Sequence, residues 1–320
     1  MGVLSTTICE LATRRPGGVQ SVSLDTTADF TRSWRIGREL MTSLLRRLIA
    51  AIAAVVWFVA PASAQNCTPT IPAADLVAPG KLQLSINPTL PPLQSVDSKG
   101  ELQGLNVNLA KEIAKRVCLE LDLVRMDFPA MIPGLGAARF DGINTGMFWT
   151  EERSKIMFTV PYALSAVGVI VTTDSTFKPA TPADLAGRAI AVDADSYQER
   201  MLRNLDKEHQ AKGMKAMEIR AFITPTEVVA ALRAKQVEAA ALPSYTTSEI
   251  ARRGQATIAI PAMAPTPVTM AFRKKSVAEA VANALNDMRK DGSYEKLLDE
   301  IGMPKLPEPQ FAIRGPGPAQ

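Results

Sequence analysis

The chain has 320 residues, of which 47% are hydrophobic and 21% are charged, and its formal net charge is +4. This length suffices for one large domain or two smaller ones, each with a hydrophobic core of its own. His209 is the only histidine, which excludes a multi-histidine metal centre and leaves Ser/His/Asp or Cys/His catalysis dependent on one residue. Three cysteines are too few for a zinc ribbon or a disulfide-rich mini-protein.

Residues 41–64 have the three parts of a secretory signal peptide. Arg46 and Arg47 form the basic part, Leu48–Val59 is an uninterrupted apolar run of 12 residues, and Ala62–Ala64 is a small-residue cleavage site. A membrane anchor, the alternative interpretation, needs about 20 apolar residues. We therefore expect export of the protein and removal of this segment.

Residues 1–40 lack the apolar periodicity of a domain and the composition of a transit peptide, so we expect a non-native extension there and the true start at Met41. Residues 1–64 contain seven Arg and four acidic residues. The rest of the chain carries 29 basic and 28 acidic residues, a net charge of +1. It contains no basic patch with interleaved aromatic residues, which argues against nucleic-acid binding.

Two cysteines remain after the signal peptide, Cys67 and Cys118. Export places them in an oxidising compartment, which favours a disulfide. The bridge would close a loop of about fifty residues and tie the lead-in, residues 65–79, to the end of the first helix. The alternative is two free thiols.

Strands and helices alternate along the exported chain, with period-two and helical apolar spacing respectively. Residues 87–100 are rich in Pro, Asp, Ser and Gly and predict a loop. The predicted elements before residue 150 are Lys81–Ile86, Asn106–Val117, Leu121–Met126, Met131–Arg139 and Gly142–Met147.

The same alternation returns further on. Two extended segments, Val167–Thr172 and Thr269–Arg273, separate the repeats, and the second follows a Pro-rich stretch at residues 261–267. The other predicted elements are Arg188–Val192, Tyr197–Lys207, Met217–Phe222, Thr226–Ala234, Val237–Leu242 and Val277–Lys290.

This order predicts an α/β protein of two lobes, each a mostly parallel sheet flanked by helices. We assign residues 80–170 and 269–303 to lobe 1, residues 174–266 to lobe 2, and residues 304–320 to a flexible tail. The two extended segments would join the lobes as hinge strands. The cleft between the lobes is then the expected ligand site.

Several short stretches, in order and at a consistent spacing, match one known family of proteins. They are Gly80–Leu84, Pro91–Pro92, Gly100–Ala110, Ile132–Leu135, Phe140–Ile143, Gly146–Arg153, Phe158–Tyr162 and Met288–Tyr294. Over about residues 78–305 the chain thereby resembles the polar amino-acid branch of the solute-binding proteins of bacterial ABC transporters. The resemblance implies the two-lobed type II periplasmic binding protein fold, closing on a small ligand that is handed to a membrane permease and its ATPase. It also implies a monomer without a cofactor.

A free amino acid in a cleft needs fixed partners for both charged ends. The guanidinium of Arg153 can bind a carboxylate through two charge-assisted hydrogen bonds, and the resemblance implies that role; the alternative is a solvated side chain in a helix capped by Thr150. Ser196 opens a helix whose N-terminus could hold a carboxylate, or it only caps that helix. Asp195, where the family prefers Gly, would repel an anion if it faced the cleft.

The resemblance implies further cleft residues. Gly146 would contact the ligand through its carbonyl, Phe148 through its backbone N–H, and Asn87 would line the wall. The family usually has Ser or Thr at position 148, so one hydroxyl is missing. Trp149 lies inside the same motif and is either a ligand contact or a core side chain.

Two departures from the family concern the ligand itself. Leu90 and Leu93 stand where aromatic walls are frequent, and Pro243 stands where the family has an acid for the ligand's α-amino group. Proline offers neither charge nor N–H. The ligand is then either an amino acid held by a substitute residue or a hydroxy acid, keto acid or amino-acid derivative. The candidate substitutes are Tyr245, Asn87 and Glu238.

Three functions remain open. The leading prediction is a transport receptor that performs no chemistry. The alternative is an enzyme on the same fold, similar to the periplasmic cyclohexadienyl dehydratases, which needs a proton donor in the cleft. The third is a binding module that signals through a separate membrane kinase.

Overall fold

A computed structural model describes residues 67–319. The predicted signal peptide and the extension before it lie outside the described residues. Within residues 67–319, no helix has both the length and the apolar character needed to cross a bilayer.

The first part of the described chain alternates strands with helices. Its elements are β1 (Lys81–Ile86), β2 (Thr89–Leu90), β3 (Gln94–Val96), β4 (Leu102–Gln103), α1 (Leu105–Arg116), β5 (Glu120–Arg125), α2 (Phe128–Gly136), β6 (Gly142–Phe148), α3 (Glu151–Ile156) and β7 (Phe158–Val171).

The second part repeats the alternation and ends in two helices. Its elements are β8 (Ala189–Asp193), α4 (Tyr197–Ala211), β9 (Glu218–Phe222), α5 (Pro225–Arg233), β10 (Ala239–Pro243), α6 (Ser244–Arg252), β11 (Thr257–Phe272), α7 (Lys275–Lys290) and α8 (Ser293–Asp299).

The main sheet has the strand order β5-β1-β6-β11-β7-β10-β8-β9. Strand β1 pairs in parallel with β5 and β6 in lobe 1, and β8 pairs in parallel with β9 and β10 in lobe 2. The long strands β7 and β11 pair antiparallel with each other and run through both lobes. The prediction of two α/β lobes joined by two hinge strands is confirmed.

Strand β11 is longer than the predicted extended segment and includes the Pro-rich stretch 261–267. One edge of β11 pairs with β7, and the opposite edge pairs with β6 only from Val268 onward. Its register against β7 also shifts repeatedly between Ile258 and Thr266. Prolines are tolerated at open edges and at bulges because no ladder N–H is required there.

Two further elements differ from the predictions. The predicted loop 87–100 contains part of a small antiparallel sheet, β2-β3-β4. Helix α6 follows Pro243 directly and was not predicted from its polar sequence. It is held to the sheet by the buried residues Thr246, Thr247 and Ile250.

Each lobe has its own apolar core. In lobe 1, the predicted stripe of helix α1 is buried, and its residues Ala110, Ile113 and Ala114 belong to one cluster with the apolar face of α7. In lobe 2, the apolar residues of β8 and β10 are buried between α4 on one side and α5 on the other. This burial is the main force that holds each sheet to its helices.

Cys67 and Cys118 form a disulfide with their Cα atoms 5.5 Å apart, which confirms the predicted bridge. Beside it, the backbone N–H of Thr70 donates to the carbonyl of Val117 at 3.3 Å. The lead-in is thereby fastened to the end of α1.

The C-terminal residues lie against lobe 1, which differs from the flexible tail predicted for residues 304–320. Phe311 is buried, stacks edge-on with Tyr294 at 4.9 Å between ring centres, and lies under the guanidinium of Arg289 at 4.0 Å. The side chain of Asn286 donates to the Phe311 carbonyl at 2.9 Å and accepts from its N–H at 2.7 Å. One buried aromatic with a satisfied backbone anchors this Pro- and Gly-rich segment.

Candidate functional site

A cavity lies between the lobes where the carboxyl ends of β1, β6, β8 and β10 come together, the usual ligand position in open α/β sheets. About 20 Å³ is open to the centres of water molecules, which is room for about one water and not for an amino acid. Seven of the eight predicted ligand residues line it, namely Asn87, Leu90, Gly146, Phe148, Arg153, Ser196 and Tyr245.

Arg153 occupies the first turn of helix α3. Thr150 caps that helix, since its hydroxyl accepts from the Arg153 N–H at 3.2 Å. The guanidinium is buried, donates from Nη1 to the Phe148 carbonyl at 2.8 Å, and lies 5.3 Å from the centre of the Phe128 ring. Burial lowers the pKa of Arg153 to about 9, so it remains a cation at neutral pH.

Two buried N–H donors in residues that line the cavity have no hydrogen-bond partner in the described structure: Arg153 Nε and Asn87 Nδ2. The other amide atom of Asn87, Oδ1, accepts from the Thr89 hydroxyl at 2.6 Å, which orients the amide. A buried donor without an acceptor costs about 1–3 kcal/mol. Closure of the cleft without a ligand therefore leaves these two donors without acceptors.

Asp193, the last residue of β8, also lines the cavity and was not singled out from the sequence. Its side chain is buried, and Gln198 Nε2 donates to Oδ1 at 3.4 Å. Burial raises the pKa of Asp193 to about 7, against the opposing effects of its own backbone N–H and of Arg153. The cavity thus holds one buried cation and one buried acid.

Ser196 caps helix α4 and lines the cavity at the same time. Its hydroxyl accepts from the Glu199 N–H at 3.0 Å, and its side chain is buried. Asp195 has φ of 56°, the left-handed region that Gly, Asn and Asp adopt most readily. Its exposed side chain does not line the cavity, so the predicted hazard of anion repulsion at this position does not arise.

Residues that line the cavity make contacts across the cleft between the lobes. Arg153 Nη2 donates to the Asp195 carbonyl at 3.3 Å. The rings of Phe148 and Tyr197 stack with their centres 5.0 Å apart. The Tyr245 hydroxyl donates to the carbonyl of Gly146 at 3.4 Å. Together these contacts close the cleft over the cavity.

Gly146 allows that closure because its φ is +71° and it lies against side chains of both lobes. A Cβ atom there would be 2.6 Å from Leu93 Cδ2 and 2.9 Å from the Tyr245 hydroxyl. Leu93 itself is fully buried, while Leu90 lines the cavity. Of the two leucines at the positions where the resemblance implies aromatic residues, only Leu90 contributes an aliphatic side chain to the cavity wall.

Trp149 lies outside the cavity. Its indole N–H is within 3.2 Å of the Thr159 hydroxyl and 3.4 Å of the Arg314 carbonyl, and the Arg314 guanidinium lies 4.5 Å from the ring centre. Successive residues of a strand point to opposite faces, so Phe148 faces the cavity and Trp149 faces the C-terminal segment. The predicted ligand contact of Trp149 is corrected accordingly.

Pro243 lines the cavity at the end of β10, so the residue at the family's acidic position is indeed at the site. Glu238, one candidate substitute, is exposed and pairs with Arg188 at 2.8 Å.

The signal for Asp193 was present in the sequence as an acid that ends an apolar strand, because the ends of parallel strands meet at the cleft. Among residues 67–319, no group of three or more His, Cys, Asp or Glu side chains is arranged to hold a metal ion.

The chain is similar to known proteins along most of its length. The histidine-binding periplasmic protein of Salmonella typhimurium is 29% identical over 237 residues, which cover 70% of this chain and 88% of the relative. ABC transporter arginine-binding protein 1 of Escherichia coli is 27% identical over 229 residues, covering 69% and 90%. A crystal structure of a mutant of ArgBP from T. maritima is 29% identical, with a TM-score of 0.64 over 70% of this chain and 95% of that one.

The family profile that matches the chain extends over residues 82–302, from β1 to just beyond α8. That range contains both lobes, both hinge strands and every residue that lines the interlobe cavity. The chain belongs to the bacterial extracellular solute-binding proteins, family 3.

Proposed function

We propose that this protein is the periplasmic receptor of an ABC transporter and that it captures an amino acid or a related small carboxylate between its lobes. The observation that carries the proposal is the pair of unpartnered buried donors, Arg153 Nε and Asn87 Nδ2, in residues that line the cavity. A carboxylate supplies two acceptor oxygens with a negative charge, which suits a buried guanidinium best. Ligand binding would then satisfy donors that closure alone leaves unpaired.

The remaining predicted contacts fit this role. Ser196 and the first turn of α4 offer a hydroxyl and helix N-terminal N–H groups, which favour anions. Gly146 and Phe148 offer main-chain groups from lobe 1, and Tyr245 offers a hydroxyl from lobe 2. Contacts from both lobes make the closed form the tighter binder.

Opening and closing would be rigid-body movements of the lobes about β7 and β11. We propose residues 80–170 with 269–303 as one moving body and residues 174–266 as the other. A ligand the size of an amino acid needs more space than the cavity of about 20 Å³, so binding requires the cross-cleft contacts to separate and re-form around it. The ligand shifts the population by the contacts that only the closed state completes.

The partners follow from the relatives. The two described above are a histidine-binding periplasmic protein and an arginine-binding protein of an ABC transporter. By analogy we propose export through the signal peptide at residues 41–64, function as a periplasmic monomer, and delivery of the ligand to a permease and its ATPase.

Isothermal titration calorimetry of the protein that begins at residue 65 tests the proposal. The panel contains the common amino acids together with small hydroxy and keto acids. We expect at least one to bind with a dissociation constant in the micromolar range or below. No binding across the panel would contradict capture of a small carboxylate.

We further propose that the bound ligand is released unchanged. Asp193 is a buried cleft acid with a pKa raised to about 7, which is a property of proton donors in enzymes as well as of binding sites. Incubation with prephenate and arogenate separates the two functions. Conversion of either compound would replace the receptor proposal by the dehydratase-like alternative.

A further inference from the structure

Asp193 and Arg153 lie on opposite lobes and line the same cavity. Both are nearly inaccessible to solvent, at 6% and 3% exposure. Asp193 forms no ion pair with a basic side chain among the described residues, although Arg153 is close enough to lower its pKa. The cavity is therefore lined by a buried cation and a buried acid that do not neutralise each other by direct contact.

The position of Asp193 in the sheet explains how it can serve in place of residue 243. Strand β8 lies directly beside β10 in parallel register, with Ala191 opposite Ala240. The same register continued by two residues brings Asp193 opposite Leu242, next to Pro243. An acid at the end of β8 thus lies one strand away from the position where the family has its acid.

We propose that Asp193 receives the ammonium group of the ligand, so that the ligand class is amino acids with a free α-amino group. This inference rests on the proposed function, because it assumes that Arg153 binds the ligand carboxylate. The acidic group of the site is then Asp193 at the end of β8, and Pro243 does not mean that the site lacks an acid.

Charge balance supports this assignment. An amino acid zwitterion brings one charge of each sign, and each would lie against its opposite in the cavity. A plain carboxylate would satisfy Arg153 but leave Asp193 as a buried anion without a cationic partner, which is strongly unfavourable. Asp193 would then have to be protonated before such a ligand could bind.

The surroundings of Asp193 make protonation near neutral pH feasible. The groups that influence it are Arg153 on α3, Glu199 and Ser196 on α4, and Tyr245 on α6. Burial is the largest influence and raises the pKa of Asp193 to about 7. At a pH well above 7, where Asp193 is ionised, an amino acid should therefore bind without proton uptake, and its analogue without the amino group should take up about one proton.

The test compares two matched ligand pairs by calorimetry: L-glutamine with glutaramate, and L-histidine with imidazolepropionate. For at least one pair, we expect wild-type protein to bind the amino acid at least tenfold more tightly. Asp193→Asn should reduce that preference to less than about threefold. Glu238→Gln, which removes an exposed acid outside the cavity, should leave the preference unchanged.

A second measurement uses wild-type protein alone. The affinity for the analogue should fall about tenfold per pH unit as the pH rises above 7, because binding takes up a proton, while the affinity for the amino acid should not fall. Circular dichroism and melting temperature verify that Asp193→Asn is folded.

The outcomes separate the two proposals. Equal binding of amino acid and analogue by wild-type protein, or an unchanged preference in Asp193→Asn, would overturn the role of Asp193 while carboxylate capture stands. Binding of neither member of either pair, together with no binding across the wider panel, would overturn both.

Discussion

The guanidinium of Arg153 in lobe 1 donates from Nη2 to the backbone carbonyl of Asp195 in lobe 2, at 3.3 Å. This bond makes the proposed ligand-binding side chain a contact between the lobes as well. The neighbouring Nη1 is held by the Phe148 carbonyl, so the orientation of the guanidinium is set before a ligand arrives. Preorganisation of this kind lowers the entropic cost of binding.

Replacement of Arg153 should abolish most ligand affinity. Arg153→Ala removes the buried cation, and we expect a loss of at least 2–5 kcal/mol in binding, because truncation leaves the ligand carboxylate unpaired. Lys155→Ala is the matched control on the same helix, since it removes an exposed ion pair with Glu151. Calorimetry with a ligand from the panel measures both, and a change of less than threefold in Arg153→Ala would exclude the assigned role.

Asp193 should make stability depend on pH. Its folded-state pKa of about 7 lies above the ordinary value of 3.8, so the folded state binds more protons and loses stability as the pH rises between those values. Asp193→Asn has no carboxyl group at this position and should not lose stability in this way. Between pH 4.5 and 8 its free energy of unfolding should gain about 3 kcal/mol relative to wild type, as measured by urea denaturation.

Asp184→Asn is a control in which the effect of the carboxyl group on stability should change with pH in the opposite direction. Backbone N–H groups of Ala180 and Thr181 lower the pKa of the Asp184 carboxyl, so its stabilising effect is present at neutral pH and lost as the pH falls below 4. A difference between Asp193→Asn and wild type that stays constant across the pH range would contradict burial of an ionisable Asp193.

Gly146→Ala should weaken ligand binding by obstructing closure of the cleft. The new methyl group would collide with Leu93 and the Tyr245 hydroxyl, in addition to the strain of a positive φ. Gly213→Ala has a similar φ of +77° but meets no atom within 4 Å, so it should cost only the backbone strain, about 1–2 kcal/mol of stability. We expect at least a tenfold loss of affinity in Gly146→Ala alone, and equal affinities in the two variants would show that the methyl group is accommodated.

The C-terminal segment should contribute to stability and not to affinity. Phe311→Ala should lower the free energy of unfolding by about 3–5 kcal/mol, because it empties a site between Tyr294 and Arg289. Gln310→Ala, at an exposed neighbouring position, should have little effect. Trp149 is the only tryptophan among residues 67–319 and lies against this segment, so its fluorescence should report detachment. Unchanged stability of Phe311→Ala would indicate that the segment is not anchored.

Loss of the disulfide should destabilise the fold without affecting the ligand. The bridge spans 51 residues of sequence, and loop-closure entropy gives about 4 kcal/mol for such a loop. We expect the double variant Cys67→Ser, Cys118→Ser and the reduced wild-type protein to melt at similarly lowered temperatures. Ligand affinity of the variant, measured well below its melting temperature, should stay within threefold of wild type. A melting temperature insensitive to reductant would contradict a structural role for the bridge.

Local sequence patterns predicted most of the fold. Alternating apolar residues located β1 and β8, and helical spacing located α1 and α7, because these periods arise from backbone geometry within one element. Helix α6 was missed because its sequence is mostly polar and its burial depends on the sheet beneath it. The strand character of residues 261–267 was missed because prolines are acceptable only at an open edge, which neighbouring strands define.

The sequence by itself determined the α/β organisation in two lobes, since the order and periodicity of the elements are properties of the linear chain. Its resemblance to a known family pointed to solute binding and to Arg153 as the candidate for the ligand carboxylate. Only the tertiary structure decided that Trp149 contacts the C-terminal segment, that Asp195 is exposed to solvent, and that Asp193 lines the same cavity as Arg153. The physical reason is that the direction and burial of a side chain at the end of a strand depend on which other strands and helices pack there. The charge of the binding site is therefore a property of the assembled cleft.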